Sequence, residues 1–451
     1  MSLENEQHKV QRRLTNRHIQ LIALGGSIGT GLFYGSASTI KMAGPAIALS
    51  YLIGGIIIFF IMRMLGEMSV HEPVSGSFSY FAKKYWNNFA GYVAGWNYYT
   101  LYILVSMAEL TAIAIYINFW FPDIPQWLSA LGFIIIITAI NLLNVRLYGE
   151  MESAMSIIKI IAIIAMIILG LVLLFSNGQP FPQNFSNLWE HGGFLPNGWW
   201  GVATSIVVVI FSFGGIELIG ITAAEVKDPE TILPKAINEI VLRILLFYVG
   251  TMIVLMALFP WNQIGAEGSP FVTIFDHIGI KAAAHILNFV VLTAAVSVYN
   301  SGIYVNSRML YGMAKSGQAP KIFTNLSPTG VPVIATFVTS AITLLAVILN
   351  YALPDGVFMM LLTIATVSIL IGWFIIAITH LKFRKAKEAS GEVDTIKFKS
   401  LFYPFTNYLC IAFLCAIVAM MYILDDMRLS VYMAPVWMLI LYISYKSIKH
   451  Q

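Results

Sequence analysis

Charged residues are scarce in this sequence of 451 residues, at 11%, whereas apolar residues make up 58%. Soluble domains typically carry about 25% charged and about 45–50% apolar residues. These proportions exclude both a soluble globular protein and a disordered one. The apolar residues also form long runs, and a run of about 20 residues crosses a bilayer as a helix. We therefore expect an all-α integral membrane protein that spans the lipid bilayer many times.

Cysteine is nearly absent as well. The two cysteines, Cys410 and Cys415, lie in one apolar run, which excludes a disulfide framework and a cysteine-based metal site. We expect no metal, no cofactor and no nucleic-acid partner. The first 18 residues are polar and basic and contain no apolar core, so we expect no cleavable secretory signal.

Twelve apolar spans can be counted along the chain. They lie near residues 19–39, 45–66, 90–119, 126–146, 154–175, 200–224, 241–260, 282–310, 332–350, 356–380, 401–421 and 430–447. Membrane proteins collect lysine and arginine in their cytoplasmic loops. Only Lys41, Lys281 and Arg428 of the 26 such residues fall in outer loops when the N terminus is placed inside. Because twelve is even, we expect both termini in the cytoplasm.

Two spans at matching positions are interrupted by glycine. The first span contains the string ALGGSIGTGLF and the sixth contains FSFGGIELIGI. These spans start near residues 19 and 200, so spans 1–5 and 6–10 form two repeats, and an odd number of spans makes the second repeat inverted. Paired interrupted spans of this kind indicate a transporter with its binding site near the middle of the membrane.

This pattern predicts the organisation of the whole chain as a five-plus-five inverted repeat with broken helices 1 and 6, followed by two C-terminal helices. The longest loops leave no room for an extramembrane catalytic domain, so we expect no enzyme. The predicted segments are a cytoplasmic N-terminal segment (1–18), a first repeat (19–175), an outer loop (176–199), a second repeat (200–380), a cytoplasmic loop (381–400), two further spans (401–447) and a cytoplasmic tail (448–451).

The broken helices indicate the ligand. Freed N–H groups at the start of a half-helix suit a carboxylate, and freed carbonyl groups suit an ammonium. One site with both is a receptor for an α-amino acid zwitterion. Glycine also serves close helix packing, but two clusters at matching positions favour binding. A nucleotide-binding loop is disfavoured because no strand precedes the glycines.

Three ionisable residues, Glu109, Lys159 and Glu217, lie deep in apolar spans. A charge at a helix centre costs about 2.5–3.5 kcal/mol to insert, so such residues are functional candidates. Lys159 or either glutamate is able to carry a coupling proton. The alternatives are an ion pair between helices and, for Lys159, a side chain that reaches the interface. We expect Glu67 on a solvated surface, with cytoplasmic gating as the alternative, and His380 at the membrane interface.

Several aromatic residues are candidates for the wall of a side-chain pocket, although a single aromatic residue more often contacts lipid or packs in a core. Phe211 and Phe213 are favoured because they flank the sixth-span glycines. The full set is Tyr98, Tyr99, Tyr102, Phe211, Phe213 and Tyr299.

Four stretches of the chain resemble the amino-acid–polyamine–organocation superfamily, and within it the bacterial amino-acid transporters. They are RHIQLIALGGSIGTGLF (17–33), LGEMSVHEPVSGSFSYFA (65–82), GITAAEVKDPETILPKA (220–236) and SVYNSGIYVNSRMLYGMAKSGQAPK (297–321). Two further stretches, 89–112 and 211–225, are most similar to the aromatic amino acid and phenylalanine permeases. The resemblance covers residues 10 to 447.

The resemblance implies roles for individual residues. The first-helix motif that holds the substrate carboxylate is matched by Ser27, Gly29, Thr30 and Gly31. The sixth-helix motif, whose carbonyls hold the amino group, is matched by Phe211, Ser212 and Gly214. Lys159 matches the fifth-helix lysine assigned to proton coupling, and Glu109 and Glu217 match membrane glutamates of similar permeases.

We therefore expect a permease that imports phenylalanine, tyrosine and tryptophan with a proton across the bacterial cytoplasmic membrane, by alternating access. One alternative is a permease of the same family for lysine, histidine, proline, alanine or γ-aminobutyrate. Others are an amino-acid exchanger, a sensor or a channel.

Overall fold

The structure, a computed structural model, describes residues 29–74, 77–143, 145–175, 185–221, 223, 226, 228–265, 269–353 and 356–449. These residues form helices joined by turns, and no β-strand occurs among them. The predicted N-terminal segment (1–18) and the predicted site residue Ser27 lie outside the described residues.

Eighteen α-helical segments follow one another along the described chain. They are α1 (Thr30–Phe33), α2 (Gly35–Ala43), α3 (Ile47–His71), α4 (Ser77–Phe81), α5 (Asn88–Asn118), α6 (Gln126–Leu143), α7 (Val145–Phe175), α8 (Gly198–Ser212), α9 (Leu218–Ile221), α10 (Pro229–Asn238), α11 (Ile240–Arg243), α12 (Thr251–Leu258), α13 (Pro270–His277), α14 (Lys281–Lys315), α15 (Val333–Ala352), α16 (Val357–Ala389), α17 (Phe405–Ile423) and α18 (Asp425–Lys449). Two π-helical segments, Ala82–Trp86 and Ile244–Gly250, precede α5 and α12.

Ten helices of the described chain are long and apolar enough to cross a membrane. The prediction of an all-helical, multi-pass membrane protein is therefore confirmed. The sixth predicted span does not form a long helix, since Gly198–Ser212 is a shorter apolar helix. Residues 19–28 of the first predicted span lie outside the described residues, and residues 35–43 are counted with the following helix in Gly35–His71.

Local sequence explains where several helices begin and end. Asn87 lies in extended backbone before α5, and its side-chain oxygen accepts a hydrogen bond of 2.8 Å from the Ala90 N–H, which satisfies a free donor at the helix start. Helix α16 continues past the predicted membrane boundary to Ala389. Its last turns are rich in lysine, arginine, alanine and glutamate, which favour helix and tolerate water.

Helix α5 occupies the centre of the fold and packs against α14 and α16. The interrupted segments lie together, because α2 packs along α8 and α1 also contacts α8. Helix α3 lies against α8 as well, so the two breaks are enclosed by continuous helices. This arrangement places both breaks inside the protein and away from lipid.

A buried ionic cluster joins α3 to α16 near one end of the bundle. Glu67 is 0% exposed, and its carboxylate accepts hydrogen bonds from Arg384 Nη2 at 2.9 Å and from the Ser400 N–H at 2.5 Å. Arg384 Nε also contacts the carboxylate, and His380 Nε2 lies 3.1 Å from Glu67 Oε2. The expectation of a solvated Glu67 was wrong, and it could not be corrected from the sequence because the arginine partner lies more than 300 positions away. His380 is buried as well.

A second arginine holds the neighbouring loop. Arg63 donates to Asn238 Oδ1 at 2.9 Å and to the Lys399 carbonyl at 2.5 Å. Its guanidinium lies 3.9 Å from the centre of the Phe398 ring. The loop that leads into α17 is therefore tied to α3 by Arg63 and, through Ser400, by Glu67.

We expect Glu67→Gln to destabilise the protein by about 3–5 kcal/mol, because it leaves the buried Arg384 charge without its partner. The measurement is the thermal unfolding midpoint of the purified protein in detergent.

The matched control is Glu72→Gln, at the end of the same helix. Burial alone would raise the pKa of Glu72, but hydrogen bonds from Lys84 and Tyr85 outweigh it and hold the pKa below its usual value. Lys84 is well exposed in this pair, so the control should cost at most about 1 kcal/mol. Equal midpoints for the two variants would contradict the assignment of Glu67.

Candidate functional site

The described chain begins at an extended residue, Gly29, and the short helix α1 follows it; the start of α1 at this point is called the first break. Gly29 is extended, with φ −128° and ψ −162°, and α1 begins at Thr30. The N–H groups of Leu32 and Phe33 bond to the Gly29 carbonyl at 3.2 and 3.3 Å. The N–H groups of Thr30 and Gly31 lie at the start of α1, and the start of a helix carries its positive pole.

The Glu109 carboxylate of α5 lies at this positive pole. The Thr30 hydroxyl donates a hydrogen bond of 2.8 Å to Glu109 Oε1, and both side chains are buried. Gly29 is close to the same oxygen, since a Cβ on this residue would lie 3.3 Å from it. A membrane glutamate thus occupies the region where the sequence predicts a substrate carboxylate.

The second break separates α8 from α9. The N–H groups of Phe213 and Gly214 bond back to carbonyls of α8 at 3.1 and 3.0 Å, and Gly215 has φ +96°. Glycine adopts this conformation without strain. The Gly215 N–H donates to both carboxylate oxygens of Glu217, each at 3.2 Å. The unwound turn is therefore closed by the second membrane glutamate.

A cavity lies between the two breaks and holds about 590 Å³ of empty space, part of which is open to solvent. The predicted substrate residues that line it are Gly29, Gly31, Phe211, Ser212 and Gly214, and the predicted coupling residues Glu109 and Glu217 line it too. The cavity brings backbone from both breaks together with two carboxyl groups.

The remaining wall is mostly apolar. Leu101, Val105 and Ile369 contribute aliphatic surface, while Tyr102 and Phe211 contribute aromatic rings. Tyr102 was one of several aromatic candidates in the sequence. The aliphatic residues carry no signal that separates them from the many others of their type, so sequence reasoning missed them.

Some predicted residues lie outside the cavity wall. Phe213 is fully buried and packs against Tyr51 and Tyr248, with ring centres 6.0 and 5.1 Å apart. Tyr98 packs at 5.0 Å against Phe78 and at 4.9 Å against Tyr102.

Tyr299 and Thr30 likewise belong to the surroundings of the cavity. Tyr299 is 0% exposed and shares a hydrogen bond of 3.1 Å with Thr343. Thr30 reaches the cavity only through Glu109. These residues therefore lie behind the residues that line the cavity.

Lys159 is fully buried in α7 and does not line the cavity. Its ammonium donates a hydrogen bond of 3.0 Å to Ser297 Oγ in α14, and it interacts electrostatically with Glu109. The three ionisable residues that sequence analysis selected are therefore arranged as two carboxyl groups in the cavity wall and one cation behind it. Among the residues that the structure describes, no group of three or more potential ligands is placed to hold a metal ion.

Comparison with known proteins places the chain in a family. The family model described as "Amino acid permease" matches residues 18–451. The chain belongs to the amino acid permease family. The aromatic amino acid transport protein AroP of Salmonella typhimurium is 53% identical over 445 residues, 98% of this permease and 97% of the relative. AroP of Escherichia coli K12 is 52% identical over 446 residues, with the same coverage. The amino-acid permease AapA of Bacillus subtilis is 44% identical over 443 residues, 98% of the chain and 96% of the relative.

The permease packs its two breaks against each other at a glycine. A Cβ on Gly31 would lie 2.8 Å from Ser212 Cα and 2.9 Å from Ser212 Oγ, which is too close for any real contact. Because one of the clashing atoms is backbone, the neighbouring segment must move to make room. Gly31 is therefore required for the approach of α1 to the end of α8.

We expect Gly31→Ala to destabilise the permease by about 1–3 kcal/mol, the usual range for overpacking a filled interior. The measurement is the midpoint of thermal unfolding, with cysteine accessibility or tryptophan fluorescence as the signal. Gly132→Ala is the matched control, since a Cβ there meets nothing within 4 Å. An unchanged midpoint for Gly31→Ala would show that the two breaks do not touch.

Proposed function

We propose that this permease imports phenylalanine, tyrosine and tryptophan by proton symport. The observation that carries this proposal is the cavity between the two breaks, which combines separated backbone poles with an apolar and aromatic wall. The names of the relatives, which describe aromatic amino acid transport, favour the same substrate class.

The two breaks suit the two charges of a free amino acid. The start of α1 at Thr30 presents N–H groups and a positive pole to the substrate carboxylate. The end of α8 near Ser212 presents carbonyl groups and a negative pole to the ammonium. The side chain then lies against Tyr102, Phe211 and the aliphatic residues of the wall, where an aromatic ring gains contact area and favourable ring geometry.

Coupling to a proton follows from the position of Glu109. An ionised Glu109 beside Gly29 and Thr30 would repel an incoming carboxylate in a medium of low dielectric constant. Protonation of Glu109 removes this repulsion and leaves the α1 pole for the substrate. Lys159, which interacts with Glu109 from behind, is the residue to which the proton is then passed. Binding of substrate and proton would be linked in this way.

We further propose the complete topology that the sequence predicts. Twelve spans in a five-plus-five inverted repeat with two C-terminal helices lie in the bacterial cytoplasmic membrane, with both termini inside. The distribution of lysine and arginine and the two breaks at matching positions support this arrangement. Alternating access then moves the segments that carry the breaks, α1, α2, α8 and α9, against α5 and α14.

The decisive test of the substrate class is uptake of labelled phenylalanine into proteoliposomes. We expect accumulation when the lumen is made alkaline relative to the outside, and none with a sodium gradient alone. Excess unlabelled tyrosine and tryptophan should abolish the signal, because they fit the same wall. Competition of equal strength by alanine or lysine would instead favour a permease for another amino acid.

The coupling role is tested by Lys159→Ala. We expect this variant to remain folded and to lose phenylalanine accumulation that is driven by a pH gradient. Lys41→Ala, at an exposed position, is the control and should accumulate like the wild type. Retained accumulation by Lys159→Ala would refute proton coupling through this lysine.

A further inference from the structure

Hydrogen-bonded side chains lead away from the cavity behind Lys159 and form a polar chain. The Lys159 ammonium donates to Ser297 Oγ at 3.0 Å, and the Ser297 hydroxyl donates to Glu152 Oε1 at 2.6 Å. Lys159 and Ser297 are 0% exposed. Glu152 precedes Lys159 by seven residues, which is about two turns or about 10 Å along the same face of α7.

The donors in this chain all point in one direction. The ammonium donates to the hydroxyl, and the hydroxyl donates to the carboxylate. A proton can pass along it without movement of heavy atoms. An N–H bond of Lys159 breaks as an O–H bond forms on Ser297, and the original Ser297 O–H breaks as one forms on Glu152. The products are a neutral lysine, a serine hydroxyl and a protonated Glu152.

This polar chain connects the cavity side to the start of α7. At its deep end, Lys159 interacts with Glu109, which lines the cavity. At the other end, Glu152 is partly exposed, and Glu150, two positions earlier, is exposed. The second Glu152 oxygen, Oε2, is buried and has no hydrogen-bond partner within the described ranges. The proton that Ser297 passes on arrives at Oε1, the oxygen that accepts the Ser297 hydrogen bond.

We propose that Ser297 and Glu152 form the path by which the coupling proton leaves Lys159 for the cytoplasm. This inference rests on the proposed function, in which the proton reaches Lys159 from Glu109. The charged groups that face Lys159 are Glu152 on its own helix and Glu109 on α5. Ser297, on α14, is uncharged and serves as the bridge between Lys159 and Glu152.

A purely structural role for Glu152 predicts a different behaviour. A buried ammonium needs hydrogen-bonded or charged partners, and Glu152 supplies negative charge beside Lys159. Loss of such support would impair folding and every mode of transport together. A proton path instead matters only when the transporter must release its proton, and exchange of one substrate molecule for another does not require that release.

The test compares net uptake with exchange in proteoliposomes for Glu152→Gln. Glutamine keeps the size of the side chain and an oxygen that accepts from Ser297, but it cannot carry the proton. We expect uptake of labelled phenylalanine driven by a pH gradient to slow by about tenfold or more, since a positioned proton carrier contributes about 10²-fold or more to a transfer step. Exchange of labelled for unlabelled phenylalanine should stay within about twofold of the wild-type rate, because exchange does not require release of the proton.

Glu150→Gln is the matched control, two positions earlier on the same helix, and it should behave like the wild type in both assays. Ser297→Ala removes one oxygen atom and should reproduce the selective loss of net uptake. If Glu152→Gln does not reach the membrane, Ser297→Ala decides the question in the same two assays.

Equal losses of net uptake and exchange, or unchanged net uptake, would overturn the proton path. These results differ from failure of the proposed function itself. In that case the wild type would show no uptake driven by a pH gradient, or Lys159→Ala would retain it. If the wild type shows uptake driven by a pH gradient and Lys159→Ala loses it, the proposed function stands. Normal accumulation of phenylalanine by Glu152→Gln then refutes only the proton path.

Discussion

A helix cannot stop inside a membrane unless the backbone groups that it releases find other partners. This constraint organises the centre of the permease. The break at Gly29 places a helix start beside Glu109, and the break at Gly214 turns the Gly215 N–H onto the Glu217 carboxylate. Each break therefore has its own acidic residue. The proposed transport cycle uses backbone groups of the same two segments.

The constraint also explains why continuous helices surround the breaks. Helices α3, α5 and α14 are continuous; α3 packs against α8, α14 contacts α1, and α5 packs against α14. Some polar side chains inside this shell bond to each other across helices; the Asn141 amide donates to Asn300 Oδ1 at 2.9 Å. The buried Glu67 and Arg384 pair performs the equivalent task near one end of the bundle, where a loop rather than a break must be fixed.

Sequence alone pointed to the interruption of the sixth span near Gly214, because glycine clusters are a strong signal in a membrane protein; residues 19–28 of the first span lie outside the described residues. The sequence could not say which aromatic residues face the cavity. Phe211 and Phe213 both flank the second break, yet residues two positions apart on a helix point about 200° apart, and only Phe211 lines the cavity. Leu101 and Ile369 had no signal in a chain that is 58% apolar. The sequence does not single out Glu152, because a glutamate at the end of a span resembles a solvated one. Its hydrogen bond with Ser297 joins residues 145 positions apart.

The central claim is that the two interrupted helices clasp the two charges of one amino acid. The most direct measurement is an electron cryo-microscopy map of the permease in lipid nanodiscs with phenylalanine at saturating concentration. The account predicts ligand density between the breaks, with the carboxylate at the backbone of residues 29–31, the ammonium near the carbonyls of residues 211–214, and the ring beside Tyr102. Continuous helices through Gly29 and Gly214, or phenylalanine bound elsewhere with this cavity empty, would contradict it.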